Sequence, residues 1–221
     1  MAKAVHTQIR KTELIERLVL NKFFWFGLVA FFFLTPILRS MKRELPPELP
    51  VLNVVPEFRA VDENGKPFTT KTLNGRPYIA SFFFTSCPTV CPKLTEDLKV
   101  VQKRIRGVAN KMLILTFTVD PETDTSKVLF KKARELKANP HVWKFLTTDK
   151  TQEFEKLLVA GFQVPMGEKT ADSVYDIAHS QKLVLVDGKN QIRGYYSTDK
   201  EGMNRMMIDI GLLLNRSLYN K

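Results

Sequence analysis

The chain has 221 residues, 44% of them hydrophobic, and a net charge of +11. This length suits one globular domain with an N-terminal appendage, and about 170 residues bury a core without needing disulfides for stability. Residues 1–43 hold eight Lys/Arg against two Glu, a net charge of +6. The rest of the chain has 26 Lys/Arg against 21 Asp/Glu and is only mildly basic. This distribution of charge does not indicate a nucleic-acid partner.

An uncharged apolar run, FFWFGLVAFFFLTPIL, occupies residues 23–38. A helix of this length spans about 24 Å, and Lys22 and Arg39 can extend their charges outward to match a hydrocarbon core of about 30 Å. No small-residue cleavage motif follows the run, which favours an uncleaved anchor over a signal peptide. We therefore predict a cytoplasmic segment at 1–22 and a transmembrane helix over 23–39.

The charges around this run predict its orientation and its membrane. Five Lys/Arg precede the run and three follow it closely, which places the N-terminus in the cytoplasm. Glu13, Glu16 and the absence of Ser before the run argue against a mitochondrial transit peptide. We predict a single pass through a bacterial inner membrane with a periplasmic C-terminal domain; the mitochondrial inner membrane is the alternative.

After the anchor, a proline-rich stretch at 40–56 predicts a stiff linker, followed by one domain over 57–221. Periodicity and turn residues predict the elements of this domain. They are a hairpin at 58–69, strands at 78–84, 112–119 and 142–146, helices at 92–108 and 151–160, a second hairpin with strands at 182–186 and 191–196, and a helix at 203–214. A further helix, which Asp124 or Thr125 caps, runs to about residue 137.

The order of these elements predicts the fold class. Helices that cross between buried strands imply parallel pairing, and the late hairpin adds an antiparallel edge. We expect an α/β protein with a thioredoxin-like fold, in which helices flank a central mixed β-sheet.

The two cysteines of the chain lie in one proline-framed segment, CPTVCP at 87–92. Pro92 suits the first turn of a helix, so Cys91 should lie at a helix N-terminus, where thiolate is favoured over thiol. A disulfide across so short a loop adds only about 2 kcal/mol, which favours a functional pair over a structural bridge. Three residues separate Cys87 from Cys91, whereas thioredoxin-like oxidoreductases have two. The longer loop lets both sulfurs converge on one soft ion such as copper(I).

A third ligand must come from elsewhere, and the chain has three histidines. His6 precedes the predicted anchor, and His141 lies at the start of a predicted strand. His179 precedes the strand at 182–186, and in a thioredoxin-like fold the loop leading into that strand lies against the cysteine loop. A neutral imidazole and two thiolates make a three-coordinate copper(I) site, so His179 is the candidate third ligand.

Three segments stand in a characteristic order and spacing: SFFFTSCPTVCP at 81–92, FTVDPETDT at 117–125, and His179-Ser180. Together they resemble the Sco/SenC family of copper chaperones for cytochrome c oxidase assembly. The resemblance covers about residues 50–215, and an N-terminal anchor is similar to the family's layout. The combination of the three segments is more specific than any one of them.

The resemblance implies a membrane-anchored metallochaperone in which Cys87, Cys91 and His179 hold one copper ion per chain, with copper(I) favoured. It implies cytochrome c oxidase subunit II as the partner, through copper delivery to its binuclear centre or through reduction of oxidised thiols at that centre. Other copper carriers and thioredoxin-like reductants are further candidate partners. The two cysteines are also expected to form a redox-active disulfide.

The resemblance extends to two acidic residues and shows one departure. Asp120 and Asp124 match the family's acidic segment, and they are interpreted either as a turn and a helix cap or as residues adjacent to the metal ligands. Thr89 stands where the family usually has Asp. This difference keeps the three donors but alters the charge beside them.

Two other functions use the same cysteines. A thiol–disulfide oxidoreductase or thiol peroxidase needs a low-pKa thiolate at a helix N-terminus but does not need His179. A binding module would use the disulfide only to shape a loop. Copper binding by a His179→Ala variant separates the first alternative from a metallochaperone, and free-thiol titration separates the second.

Overall fold

The computed structural model describes residues 16–17, 19–41, 48–86, 90–163 and 182–219. The chain forms two compact units, Met1–Pro46 and Pro47–Lys221. The second unit contains the sheet, the hydrophobic core and all three motif segments.

The first unit contains helix α1, Lys22–Met41. Its first turn is capped by Asn21, whose Oδ1 accepts a hydrogen bond from the N–H of Phe23 at 2.9 Å. The side chains of residues 22–38 are exposed, apart from the half-buried Thr35. None of the helices within the described ranges is both long and apolar enough to cross a bilayer. The transmembrane helix over 23–39 therefore stays a prediction.

The second unit is built on an eight-stranded sheet. Its strands are β1 (Asn53–Val54), β2 (Arg59–Asp62), β3 (Pro67–Thr69), β4 (Tyr78–Phe83), β5 (Leu113–Thr118), β6 (Trp143–Thr147), β7 (Lys182–Val186) and β8 (Gln191–Ser197). Its described α-helices are α2 (Val90–Arg104), α3 (Ser126–Glu135), α4 (Thr151–Lys156) and α5 (Lys200–Tyr219). A 3-10 turn, Ile105–Val108, follows α2, and a π-helical turn, Leu157–Gly161, follows α4.

The strands lie in the order β1-β8-β7-β4-β5-β6-β2-β3. Strands β4, β5 and β6 are parallel neighbours, whereas the pairings of β4 with β7, β7 with β8, β8 with β1, β6 with β2, and β2 with β3 are antiparallel. The predicted mixed sheet with flanking helices is confirmed. Both predicted hairpins are present, as β2–β3 and β7–β8.

The centre of the sheet is dry, as expected for strands covered on both faces. All six residues of β5 are buried. Helix α2 covers the sheet with apolar side chains at steps of three and four, as its sequence predicts. These buried side chains are Leu94, Leu98 and Val101, followed by Ile105 in the next turn.

The stretch predicted as linker at 40–56 contributes to the sheet from residue 48 onward. Asn53 and Val54 form β1 by pairing with β8. Strand β1 has only two residues, which is too short for a sequence pattern to predict. Just before β1, the backbone oxygen of Leu49 accepts a 2.6 Å hydrogen bond from the guanidinium of Arg193. The same guanidinium forms a 2.8 Å ion pair with Asp187, and both side chains are only 7% exposed.

Replacing Asp187 with Ala should lower the free energy of unfolding by about 3 kcal/mol, because it removes the buried counter-charge of Arg193 and leaves only the more exposed Glu48 at 3.5 Å. Urea unfolding of the full-length chain measures this loss. Glu153→Ala is the control, since its 3.4 Å pair with Lys150 is largely exposed and should add little stability. Equal losses in the two variants would contradict the assignment.

Candidate metal centre

One edge of the sheet gathers the ends of three strands that carry the predicted motifs. Strands β4 and β5 run parallel and end together, with Phe83 opposite Thr118. Strand β7 runs antiparallel to β4, with Val184 opposite Ala80. The start of β7 at Lys182 therefore lies at the edge where β4 and β5 end.

The cysteine segment bridges the end of β4 and the start of α2. Helix α2 begins at Val90, two residues before the predicted start, and Cys91 is its second residue. In general, the free N–H groups and the dipole of a first helical turn favour thiolate over thiol, and a thiolate at Cys91 stays a prediction. Cys87 and His179 lie outside the described residues, so the three-ligand copper site stays a prediction.

The carboxylate of Asp124 is fully buried at this edge. It accepts hydrogen bonds from the backbone N–H of Thr85 at 3.0 and 3.3 Å, and a short hydrogen bond from the Thr85 hydroxyl. On its other side, Thr118 Oγ1 donates to it at 2.6 Å. Asp124 thus joins the ends of β4 and β5.

This arrangement corrects the interpretation of Asp124 as a helix cap. Helix α3 begins after Thr125, and no side-chain hydrogen bond caps it. The Asp124 carboxylate faces the strand ends instead. The donors there supply the hydrogen bonds that a carboxylate needs when it is buried away from water.

Asp120 occupies the turn between β5 and α3, as its interpretation as a turn residue expects. Its backbone oxygen accepts a 2.8 Å hydrogen bond from the N–H of Asp124, and its own N–H donates to Thr118 Oγ1 at 3.0 Å. The residue is nearly buried. A place for its side chain beside the metal ligands stays a prediction.

His141 lies away from this edge. It precedes β6, whose first residue Trp143 pairs with Ile114 near the start of β5. Thr118 lies four positions after Ile114, which corresponds to about 13 Å along the strand. His141 is exposed, and its N–H donates to Asn139 Oδ1 at 3.0 Å. His141 therefore lies at the end of the strands opposite to the cysteine segment.

Sequence reasoning did not assign a role to Thr85 or Thr118, the two partners of Asp124. A signal was present, because Thr118 ends a buried strand and Thr85 closely follows the end of another, and a hydroxyl at the boundary of the dry core needs a hydrogen-bond partner. The partner could not be identified, since Asp124 lies 39 residues from Thr85 in the chain. Within the described ranges, no group of three or more His, Cys, Asp or Glu is arranged to hold a metal ion.

Known proteins match this chain over most of its length. The SCO1 protein homolog of Bacillus subtilis (strain 168) is 31% identical over 137 residues, which cover 61% of this chain and 70% of that protein. A structure of BsSco, a member of the Sco family of cytochrome c oxidase assembly proteins, is 26% identical with a TM-score of 0.65 and covers 74% of this chain and 95% of that one. A structure of Bradyrhizobium japonicum ScoI with copper bound is 25% identical with a TM-score of 0.60, covering 72% and 99%.

The family comparison spans both the fold and the motif segments. Residues 47–213 match the model of the SCO1/SenC family, a span that includes the whole sheet and both cysteines. Three features agree with this match: the mixed sheet, the cysteine segment after β4 and the acidic segment after β5. The chain belongs to the SCO1/SenC family.

Proposed function

We propose that this chain is a membrane-anchored copper(I) metallochaperone for the binuclear copper centre of cytochrome c oxidase subunit II. Family membership supports the proposal, as do the copper in the ScoI structure and the role of the BsSco family in oxidase assembly. One observation carries it: the segments that lead to Cys87 and away from His179 meet at one edge of the sheet.

The strand register shows how short the connections are. Continuing the pairing of Ala80 with Val184 brings Lys182 opposite Phe82, at the end of β4. His179 precedes Lys182 by three residues, and Cys87 follows Phe82 by five. Three extended residues reach about 10 Å, so this geometry allows the imidazole to reach the cysteine loop.

The donor set suits copper(I) as cargo. Two thiolates and one imidazole are soft or borderline ligands that favour this ion, and all three must be deprotonated to bind it. A disulfide between Cys87 and Cys91 would remove both sulfur donors, so reduction must precede loading. Ser86, next to Cys87, is exposed, which suits a site that hands its metal to another protein.

A thiol–disulfide oxidoreductase is the second candidate function. The start of α2 favours it, because thiolate at the second helical residue is the nucleophile that attacks a disulfide. In this function, the thiolate of Cys91 or Cys87 would attack a disulfide of subunit II and form a mixed disulfide. The other cysteine would then resolve it, so that Cys87 and Cys91 end as a disulfide and subunit II as two thiols ready for copper. The same two residues serve both reactions, but only copper binding requires His179.

The anchor belongs to the proposal as well. Helix α1 exposes large apolar side chains around its circumference, among them Phe23, Phe26 and Phe32 at 70–80% exposure. An apolar surface of this kind is unfavourable in water and favourable in lipid. With the charge asymmetry of residues 1–43, it supports a cytoplasmic N-terminus and a periplasmic domain in a bacterial inner membrane.

His179→Ala should weaken copper(I) binding at least tenfold, because it removes one of three donors, whereas the wild-type chain should bind one copper(I). Competition with a chromophoric copper(I) chelator measures both quantities. The matched control is His141→Ala, which removes an exposed histidine at the opposite end of the strands and should leave affinity unchanged. Equal affinity in the His179 variant and the wild type would refute the ligand assignment and favour the oxidoreductase.

Deleting this protein should lower both the copper content and the activity of cytochrome c oxidase in cells. Wild type should restore both, and Cys91→Ser should restore neither. The His179→Ala variant separates the two candidate functions, since a reductase keeps its activity without the imidazole. Full rescue by this variant would contradict copper delivery as the main duty.

The full-length chain should stay in the membrane pellet after alkaline carbonate extraction of bacterial cells. A chain that begins at residue 47 should be released, because it lacks the whole first unit. Recovery of the full-length chain in the soluble fraction would contradict the anchor. It would leave the copper assignment standing.

A further inference from the structure

Asp124 is an unusual residue for its surroundings, because it is a fully buried carboxylate held only by neutral donors. Its partners are the N–H and hydroxyl of Thr85 and the hydroxyl of Thr118. In the part of the chain that the structure describes, no lysine or arginine forms an ion pair with it. Burying a carboxylate without a counter-charge is unfavourable, and here only these three donors compensate for the lost contact with water. The role of Asp124 must therefore depend on its hydrogen bonds to them.

Starting helix α3 is not that role. The cap position belongs to Thr125, and the carboxylate of Asp124 does not face the free N–H groups of the helix. The turn before α3 is held by backbone atoms, through the 2.8 Å bond from the N–H of Asp124 to the oxygen of Asp120. A residue with an apolar side chain could form that same backbone bond.

The carboxylate instead ties together two strand ends. The parallel pairing of β4 and β5 closes with the N–H of Val119 donating to the oxygen of Phe83 at 2.9 Å. Beyond that point the chains diverge, and Asp124 bridges them by accepting from Thr118 on one side and from Thr85 on the other. Both hydrogen-bond donors of Thr85, its N–H and its hydroxyl, are held by this one side chain.

Thr85 is held by side-chain contacts close before the cysteine loop. Only Ser86 separates it from Cys87, and at the other end of the loop α2 begins at Val90 and contains Cys91. Both ends of the loop are therefore set by described structure, one by Asp124 and the other by the helix. Groups that orient metal ligands in this way improve metal affinity by reducing the ordering needed on binding.

We propose that Asp124 is the positioning residue of the metal loop, which it orients through Thr85 without touching the metal. This inference rests on the proposed copper function. It predicts that the Asp124–Thr85 contact controls copper affinity separately from its effect on stability.

Asp124→Asn keeps the shape of the side chain but leaves one acceptor oxygen where three donors converge. Copper(I) affinity of the full-length chain should fall by about tenfold to a hundredfold, the range typical of groups that orient metal ligands. In the metal-free reduced protein, amide hydrogen exchange of the segment that includes Thr85 should accelerate. Thr85→Val removes only the hydroxyl of a half-buried residue. Its copper affinity should fall, and its hydrogen exchange should accelerate, by less than in Asp124→Asn. This second variant keeps the test available if the Asp124 variant fails to fold.

Ser81→Ala is the matched control. It removes another buried hydroxyl bond between β4 and β5, the 2.8 Å contact of Ser81 with Thr116, and it does not touch Thr85 or Asp124. It should lower stability without changing copper affinity. Copper affinity within twofold of wild type in both Asp124→Asn and Thr85→Val would overturn the positioning role while leaving the copper function intact. If the wild-type chain binds no copper, the proposed function fails. In that case the hydrogen-exchange measurement still tests the positioning role, and unchanged exchange in both variants would overturn it.

Discussion

The candidate site depends on the double pairing of strand β4. This strand is parallel to β5 on one side and antiparallel to β7 on the other, and five of its six residues are buried. Because the side chains alternate between two covered faces, a slip of one residue would exchange them, so the register is strongly specified. That register decides which loops share an edge, and it brings together segments that are about ninety residues apart in the chain.

Buried polar groups reinforce this register at two levels. In the middle of the sheet, the hydroxyls of Ser81 and Thr116 bond at 2.8 Å, and the indole N–H of Trp143 donates to Thr116 at 2.7 Å. At the edge, Asp124 plays a similar role for Thr85. In a dry interior an unpaired polar group is expensive, so each of these bonds disfavours alternative alignments of the strands.

Outside the central strands, the sheet is extended by short elements held with ion pairs. The β2–β3 hairpin is tied to β6 by Lys144, which lies 3.2 Å from Asp62 and 3.1 Å from Glu63. Burial raises the pKa of Asp62, but hydrogen bonds from the backbone of Lys66 and from Lys144 outweigh it and hold that pKa below its ordinary value. On the opposite side, Arg193 holds the residues before β1.

The amino-acid sequence by itself determined the element types, the mixed sheet, both hairpins and the family, because periodicity, turn residues and the cysteine segment are local signals. It also pointed to His179 over His141, a choice that stays a prediction because His179 lies outside the described residues. Three features were decided only by the tertiary structure: the pairing of β1, the contacts of Arg193 with Asp187 and Leu49, and the direction in which the Asp124 carboxylate points. Each depends on atoms that are distant in the chain and meet only after the strands have paired, so no local pattern specifies them. Asp124 shows most clearly how local and tertiary information differ. In the sequence it stands at a predicted helix start, which suggests a helix cap. Only the folded sheet places the Thr85 and Thr118 donors where the carboxylate hydrogen-bonds to them instead.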